Sequence, residues 1–420
     1  MSFTISPERW RRDVGIVAAG RALSLLGDEV AVIALILRAS DAPNGAAMVT
    51  ALLLAAMTPA LVLAPLSGLL VDRLPTRALV AVTSLIQAAL CASLVLVDQP
   101  MAVLALVFGL NAAQTVVGPA WQALVPRLAP GDRLPSALST MQAAAAVAGM
   151  LGPAIGGLLV GVAGVPAALA VDALSFLALT AAALLIRGDR RPDPAGEQGS
   201  TSREAVAGFG HLLREPVLCG LVVLIGSFVV ALGAVNVAEV FLVTDVLGAT
   251  ALMYGLMGTV FAVGSLGGAL LAPRLASDTD GDDRYLLKRV LLACVALSAS
   301  IGLLAVAPSL AVVAVASLAI GVSNACLNIW VQLIVVGRTP DELRGRVFAA
   351  LQAVGNGALM VALAVGGAAI GLIGVRELVG VAAAVSVAVV AALAPLLLRR
   401  RQPSTSSSPT AIVPGVTTSA

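Results

Sequence analysis

Charged residues are scarce in this chain. Asp, Glu, Lys and Arg make up 11% of its 420 residues, whereas a soluble domain carries about 25%. Lysine and histidine occur once each, as Lys288 and His211. The chain therefore has no P-loop, no HExxH metal motif and no Ser-His-Asp set. Since it also has no sizeable soluble domain, the sequence argues against an enzyme, a receptor and a pump driven directly by ATP.

Cysteine patterns that bind metals or form disulfides are also missing. The four cysteines fall in four separate apolar segments, with no CxxC or Cys/His spacing. This indicates neither a zinc site nor a disulfide framework. Small apolar core residues are the expected role of Cys91, Cys219, Cys294 and Cys326. We expect no metal, no cofactor and no nucleic-acid partner.

Hydrophobic residues, by contrast, make up 59% of the chain and recur in long runs. About 20 apolar residues span a bilayer core of roughly 30 Å as a helix. Polar breaks containing Pro, Gly, Arg and Asp separate the runs, as suits turns and helix ends. The pattern predicts an all-α membrane protein with about twelve transmembrane helices. The predicted spans are 14–37, 46–70, 78–97, 101–125, 137–160, 165–186, 217–243, 250–272, 288–306, 309–334, 347–374 and 377–398.

The distribution of Lys and Arg predicts the orientation of these spans. Of the 25 such residues, 22 fall on the side that holds both termini and the even-numbered loops. Arg38 and Arg376 lie on the opposite side, and Arg21 lies within a helix. One span missed or invented in mid-chain would invert every later loop, so the number of spans is even. We expect a monomer in a bacterial inner membrane with both termini in the cytoplasm.

An internal repeat is visible at an offset of 210 residues. The matching pairs are Glu29 and Glu239, Gln122 and Gln332, Pro130 and Pro340, Asp132 and Glu342, Gly156–Gly157 and Gly366–Gly367, Gly161 and Gly371, and Gly164 and Gly374. Six spans in each half make the repeat parallel, the arrangement in which two bundles rock around a central site. The predicted division is a first bundle at 1–188, a cytoplasmic linker with a surface helix at 189–216, a second bundle at 217–400 and a disordered tail at 401–420.

The loop after helix 2 reads GLLVDRLPTR. Through Gly68, Asp72, Arg73 and Arg77 it resembles the signature of the major facilitator superfamily at that loop. Pro75 stands where the common form has Gly, and it still makes a turn. The resemblance implies a gate in which the carboxylate caps the amino end of a helix from the other half, where the helix dipole favours negative charge. The alternative is that these charges only fix the topology.

Helix 5 contains AGMLGPAIGGLL. Its residues Gly149, Gly152, Pro153, Gly156 and Gly157 resemble the Gly-rich motif that antiporter branches of the superfamily carry in this helix. Residues four apart share one face, so the motif forms a smooth ridge. The resemblance implies export, because uptake carriers usually lack the whole pattern. Ordinary close packing of small residues is the alternative.

Two further stretches are similar to one branch of the superfamily. DALSF at 172–176 and PDELRGRVF at 340–348 resemble the drug/proton antiporter-like branch that holds macrolide-efflux and siderophore (enterobactin) exporters. One departure concerns helix 4, where better-known drug exporters carry an Arg. Here that region reads LALVFGLNAAQ, with Ala105 near the expected position, so any coupling role of that Arg must be absent or moved.

Ionisable groups inside spans are costly and are functional candidates. Arg21 and Asp28 share one stripe of helix 1, about 10 Å apart along the axis, where water or substrate could bridge them. Burial favours the neutral form of a carboxyl group and a nearby cation favours the ionised form, so a site that alternates between these conditions is a proton switch. We predict Asp28 as the first proton-coupling candidate, followed by Glu29, Glu239 and Arg21. A structural carboxyl near the outer mouth is the alternative, and it is the expected role of Asp172.

Amide side chains within the spans are candidates to line a polar path or, alternatively, to join helices by hydrogen bonds. They are Gln87, Asn111, Gln114, Asn236, Asn324, Asn328, Gln332, Gln352 and Asn356. The single histidine, His211, belongs to the expected surface helix and is not expected to be catalytic.

These features predict a proton-coupled secondary transporter that exports amphipathic small molecules of the drug, macrolide or siderophore type by alternating access. The partners expected are the substrate, protons and the bilayer. An uptake or uniport permease of the same fold is the first alternative. A membrane receptor or enzyme is the second.

Overall fold

The computed structural model describes residues 7–63, 70, 73–129, 134–186, 210, 212–276, 283–340 and 343–399. Most of the predicted surface helix, with His211, and the tail from 401 lie outside this part of the chain. So do Gly68 and Asp72 of the predicted gate motif.

Twelve helices account for almost all of the described residues, as the apolar runs predict. The first six are α1 (Pro7–Ser40), α2 (Gly45–Val62), α3 (Thr76–Leu96), α4 (Pro100–Leu128), and α5 and α6, which share the segment Leu134–Leu185. The second six are α7 (Pro216–Phe241, extended by a π turn at Leu242–Val246), α8 (Ala251–Ala276), α9 (Asp283–Ala305), α10 (Leu310–Arg338), α11 (Arg344–Ile373) and α12 (Val375–Arg399).

Two glycines with positive φ make the sharpest breaks between helices. Gly164 separates α5 from α6 with φ 81° and ψ 171°, and Gly374 separates α11 from α12 with φ 90° and ψ 166°. Only glycine adopts this conformation without strain. These two residues are a pair in the 210-residue repeat, so the same backbone break recurs at the same place in both halves.

The membrane-spanning character of the helices follows from their length and composition. Ten helical segments in the described residues are long and apolar enough to cross a bilayer, and one of them, Ser136–Leu185, holds both α5 and α6. The remaining helix, α1, is long enough but carries Arg21, Asp28 and Glu29 in its apolar stretch. Charge inside α1 is therefore what sets it apart from the other helices.

The packing of helices repeats between the two halves. In the first half α1 packs on α5 and α6, α2 on α4, and α3 on α4 and α6. In the second half α7 packs on α11 and α12, α8 on α10, and α9 on α10 and α12. The second set is the first set advanced by six helices. The predicted fold class, twelve transmembrane helices in two parallel six-helix repeats, is confirmed.

We call the side where α1 begins and α12 ends the terminal face, and the opposite side the distal face. Arg38 and Arg376 are the two cations that the sequence places on the distal side. Each binds the carboxyl end of the third helix of its half. Arg38 donates to the carbonyl oxygen of Leu94 (3.0 Å) in α3 and to Asp98 (2.8 Å). Arg376 donates to the carbonyl oxygens of Ala305 (3.2 Å) and Ala307 (2.8 Å) at the end of α9. A cation there satisfies free carbonyl groups and the helix dipole.

Equivalent arginine contacts occur at the terminal face. Arg77 at the start of α3 donates to the carbonyl oxygen of Leu184 at the end of α6. Arg284 at the start of α9 donates to the carbonyl oxygen of Leu398 at the end of α12 (3.3 Å). The repeat thus preserves how helix ends are capped, although none of these four arginines aligns with another at the offset of 210 residues.

The two halves touch each other near the distal face, through α5 against α8 and α2 against α11. A Cβ atom on Gly157 would overlap the carbonyl oxygen of Ala251 and lie 3.1 Å from the Cα atom of Gly255. A Cβ atom on Gly367, the repeat partner of Gly157, would overlap the side chain of Thr50. We call these two contacts the distal seal. Both depend on glycine, because any side chain would push the backbones apart.

We expect Gly157→Leu to open the distal seal. The side chain has no room against α8, so a cysteine introduced at Asn236 in a cysteine-free background should react with an impermeant thiol reagent from the distal side. Without the substitution it should react from the terminal side only.

The matched control is Gly161→Leu, one turn along the same helix, where a Cβ atom would meet nothing within 4 Å. It should leave the labelling pattern unchanged. Labelling of Gly157→Leu from the terminal side alone would show that the contact does not close the distal face.

Candidate functional site

Three cavities lie in a row across the bundle. The first, of about 150 Å³, is inside the first half. The second, of about 580 Å³, lies between α1, α5 and α8, and the third, of about 370 Å³, is inside the second half. The first and second share Val32 and Ile36 of α1 as a common wall. The second and third share Gly258 and Phe261 of α8. The helix α1 therefore separates the first cavity from the second, and α8 separates the second from the third.

The first cavity holds a chain of hydrogen bonds that begins at Asp28. Gln114 of α4 donates its amide to the Asp28 carboxylate (3.0 Å). Gln87 of α3 in turn donates to the Gln114 oxygen (3.1 Å). Three helices are thereby joined at one half-buried carboxyl group. Asp28, Asn111 and Gln114 line the cavity, whereas Gln87 is fully buried behind it.

A second carboxyl group, Asp172 of α6, lines the same cavity. Ser175 donates its hydroxyl to Asp172 (3.1 Å), and the Cys91 thiol donates to the other carboxylate oxygen (3.3 Å). Asp172 is close enough to Asp28 for the two charges to interact directly. Sequence reasoning treated Asp172 as a separate structural residue and missed this pair. The depth of each residue below the distal face, where α1 ends and α6 begins, is the signal that could have found the pair.

Arg21 and Ser24 continue the Asp28 stripe along α1 towards the terminal face. Ser24 is fully buried, and neither its hydroxyl nor the Arg21 Nη1 atom has a hydrogen-bond partner among the described residues. Arg21 and Asp28 interact through their charges without a direct hydrogen bond in that part of the chain. This agrees with their separation of about 10 Å along the helix.

Glu29 follows Asp28 but points the other way, into the second cavity. Its side chain lies against Gly152 of α5, where a Cβ atom would lie 3.0 Å from the Glu29 Cγ atom. The adjacent acids of α1 therefore serve different cavities. Asp28 faces the interior of the first half, and Glu29 faces the space between the halves.

Glu239, the repeat partner of Glu29, lines the third cavity. Ser317 of α10 lines the same cavity, as do Asn236 and Asn324. Tyr254 lies near Glu239 and also lines the second cavity. Both repeat-related glutamates thus face adjoining cavities, with α8 between them.

The other amides are divided between hydrogen bonding and exposure. Asn328 is exposed and donates to the Asn324 side chain (3.2 Å) and backbone (2.8 Å). Gln332, Gln352 and Asn356 are exposed and line none of the three cavities.

The residues of the helix 5 motif pack against two different helices. Gly152 and Gly156 lie against α1, and Gly157 lies against α8 as part of the distal seal. Pro153 contacts Gly258 of α8 and, with Gly149, lines the second cavity. Of the gate motif, Arg73 is exposed and Arg77 binds the end of α6.

Comparison with known proteins identifies the family to which this architecture belongs. Two segments of the chain, 17–281 and 223–416, match the family profile described as Major Facilitator Superfamily. The chain is also 31% identical over 274 residues to the uncharacterized MFS-type transporter y4rN of Sinorhizobium fredii (strain NBRC 101917 / NGR234). That alignment covers 63% of this chain and 66% of the relative, just under two thirds of the relative's length.

Solved structures show the same fold at low sequence identity. The nucleoside transporter NupG superposes with a TM-score of 0.76 at 13% identity, covering 93% of this chain and all of NupG. A POT family transporter in complex with 5-aminolevulinic acid superposes with a TM-score of 0.73 at 11% identity, covering 94% of this chain and 96% of that one.

We expect Gly27→Ala to destabilise the protein, because α1 and α6 approach closely beside the carboxyl pair. A Cβ atom at Gly27 would lie 2.5 Å from the Asp172 Oδ1 atom and 2.8 Å from the Ser175 Cβ atom. Overpacking of this kind costs about 1–3 kcal/mol, against about 1 kcal/mol gained from helix propensity. Thermal unfolding in detergent measures the balance.

Gly15→Ala in the same helix is the control, since a Cβ atom there meets nothing within 4 Å. It gains the propensity without the overlap and should unfold at the same or a higher temperature. If both variants are equally stable, the contact beside Asp172 is looser than the geometry indicates.

Proposed function

The chain belongs to the Major Facilitator Superfamily, and we propose that it is a proton-coupled exporter of amphipathic small molecules that works by alternating access. It is a multi-pass membrane transporter, and a transporter implies a small-molecule substrate. The export direction, the coupling to protons and the amphipathic substrate are the proposal.

The observation that carries the proposal is the row of three cavities across two repeated halves. Its walls are mostly apolar, and carboxyl groups project into each cavity from α1, α6 and α7. Among the described residues the halves meet near the distal face, and we propose that substrate reaches the row from the terminal face. Rocking of the halves about this site would close the terminal face and open the distal seal.

Export is supported by the resemblance of the helix 5 motif to that of antiporter branches. The packing of these glycines does not by itself distinguish an export motif from ordinary close packing of small residues, since Gly367 of α11 makes the equivalent contact on α2. Accumulation in everted and in right-side-out vesicles separates the two directions. Uptake in everted vesicles alone supports export, and accumulation in right-side-out vesicles alone would instead support an uptake permease.

Coupling to protons is assigned to the first cavity. Asp28 and Asp172 are two carboxyl groups close together, with Arg21 further along α1. Two nearby carboxylates repel each other, which favours a proton held at the pair. Rocking of the halves would change the surroundings of this pair, and we propose that the change releases the proton on the other side.

Placement in the cell follows from the positive-inside rule. We assign the terminal face to the cytoplasm of a bacterial cell and the membrane to its inner membrane. The halves at 1–188 and 217–400 act as the two moving bundles, the segment 189–216 links them, and the protein acts as a monomer and a carrier rather than an enzyme.

Topology reporters test this orientation. Fusions at Gln198 and after Arg401 should both report cytoplasm, and a fusion near Asp41 should report the opposite side. Disagreement between the first two would contradict the arrangement of two parallel halves.

The loop motif is proposed as a gate, and Asp72→Asn should lower transport while the protein still reaches the membrane. The physical reason is loss of a charge–dipole contact worth roughly 0.3–1 kcal/mol, with the start of α11 as the partner. Transport rates and membrane content are measured together. A mutant that transports at the wild-type rate would remove the gate from the mechanism.

Replacing the acid of the first cavity should uncouple transport from protons. Asp28→Asn keeps the shape of the side chain but cannot exchange a proton, so we expect it to abolish uphill, pH-driven export while some substrate binding remains. Glu29→Gln, its neighbour in the second cavity, should reduce coupling less. The measurement is substrate-induced proton release from purified protein in detergent.

The comparison between the acids decides the site. If Asp28→Asn releases protons like wild type while Glu29→Gln or Glu239→Gln does not, the coupling site lies in the second or third cavity. That result would leave the exporter proposal intact and overturn the role of Asp28.

A further inference from the structure

We infer that the substrate is an amphipathic organic cation, held between Glu29 and Glu239 in the second and third cavities. This inference rests on the proposed function, since it concerns the substrate of the same transport site. It selects among the substrate types that the sequence leaves open.

The charges inside the bundle are strongly unequal. The acids Asp28, Glu29, Asp172 and Glu239 line the three cavities. Arg21 lines none of the three, and none of their described lining residues is Lys, Arg or His. The described surfaces that a ligand meets therefore offer carboxyl groups and no basic side chain.

The two glutamates stand on either side of one partition. Glu29 projects from α1 into the second cavity, and Glu239 projects from α7 into the third. Between them the α8 residues Gly258 and Phe261 line both cavities. A ligand that contacts Phe261 therefore adjoins both the cavity of Glu29 and the cavity of Glu239.

Aromatic rings add a second attraction for a cation at this point. Phe261 lines both cavities and Tyr254 lines the second, close to Glu239. The face of an aromatic ring attracts an ammonium group within about 6 Å. Only 3% of the chain is aromatic, so two such side chains beside two half-buried acids make this a part of the interior suited to a cation.

The remaining walls determine the rest of the ligand. The second cavity is lined by aliphatic side chains such as Val32, Ile33 and Leu266, and the third by Leu232, Ile320 and Leu359. Ligand sites for drug-sized molecules have volumes of about 300–1,000 Å³, and each of these cavities falls in that range at about 580 and 370 Å³. A positively charged group on a bulky apolar body matches both features.

An anionic substrate would find no basic side chain among the described residues of these surfaces. A charge in a low-dielectric site needs a partner of opposite sign, and the carboxyl groups can supply one to a cation but not to an anion. Amine-bearing substrates are therefore favoured over acidic ones such as siderophores with several acidic groups.

Two ions of matched size and shape test the inference. Tetraphenylphosphonium and tetraphenylborate differ in the sign of their charge, and equilibrium dialysis against the purified full-length protein in detergent measures the binding of each. We expect the cation to bind at least about tenfold more tightly, since opposed like charges cost several kcal/mol. Equal binding of the two ions, tighter binding of the borate, or binding of neither would overturn the inference.

Single substitutions locate the binding. Glu29→Gln and Glu239→Gln should each weaken phosphonium binding several-fold, whereas Asp41→Asn, at an exposed carboxyl group in the turn after α1, should not. Unchanged binding in both glutamine variants, or equal loss in Asp41→Asn, would overturn the assignment to these cavities.

Vesicle transport keeps this test separate from the proposed function. Export of neutral or acidic compounds without phosphonium binding would leave the exporter standing and overturn the substrate class. Selective phosphonium binding without transport of any compound would overturn the exporter and leave the charge preference of the cavities.

Discussion

Close backbone contact between the two halves is the constraint on which the rest of this structure depends. Gly157 lies against α8 and Gly367 against α2, and each position leaves no space for a side chain. Association of helices in a bilayer relies on such packing, because lipid is as apolar as the helix surface. The distal seal joins the halves near the distal face, beside the cavity that lies between α1, α5 and α8.

The repeat preserves backbone packing and helix capping more closely than it preserves the acidic residues. The breaks at Gly164 and Gly374, the arginine caps on helix ends and the seal glycines recur in both halves. The carboxyl pair does not recur, since the positions equivalent to Asp28 and Asp172 are Ala238 and Ala382. Among the described residues of the cavities, the paired acids therefore lie in the first half, whereas each half contributes one glutamate to the second or third cavity. This asymmetry is what the proposed separation of proton and substrate sites requires.

The sequence predicts the positions of the helices well, but it predicts poorly which residues of neighbouring helices contact each other. The apolar runs locate twelve spans to within a few residues over most of their ends, because bilayer thickness sets the length of a span. The offset of 210 residues correctly predicts two parallel halves, and Gly164 and Gly374 show that the match extends to backbone conformation. Helix contacts are harder to predict, since lipid-facing and core-facing sides are both apolar and periodicity does not separate them. For this reason the different cavities of Asp28 and Glu29 were visible only in three dimensions.

The connections at the distal face are all short. Residues 41–44, 97–99, 247–250 and 306–309 join four helix pairs there, and Gly164 and Gly374 alone join the other two. Little more than helix ends is displayed on that side. An antibody, a phage or a protease on that side would find almost no loop to bind or cleave. An inserted epitope tag would have to interrupt a helix junction to be accessible there. The distal surface thus offers few structures that another molecule could recognise, and the opening between the halves is the main one.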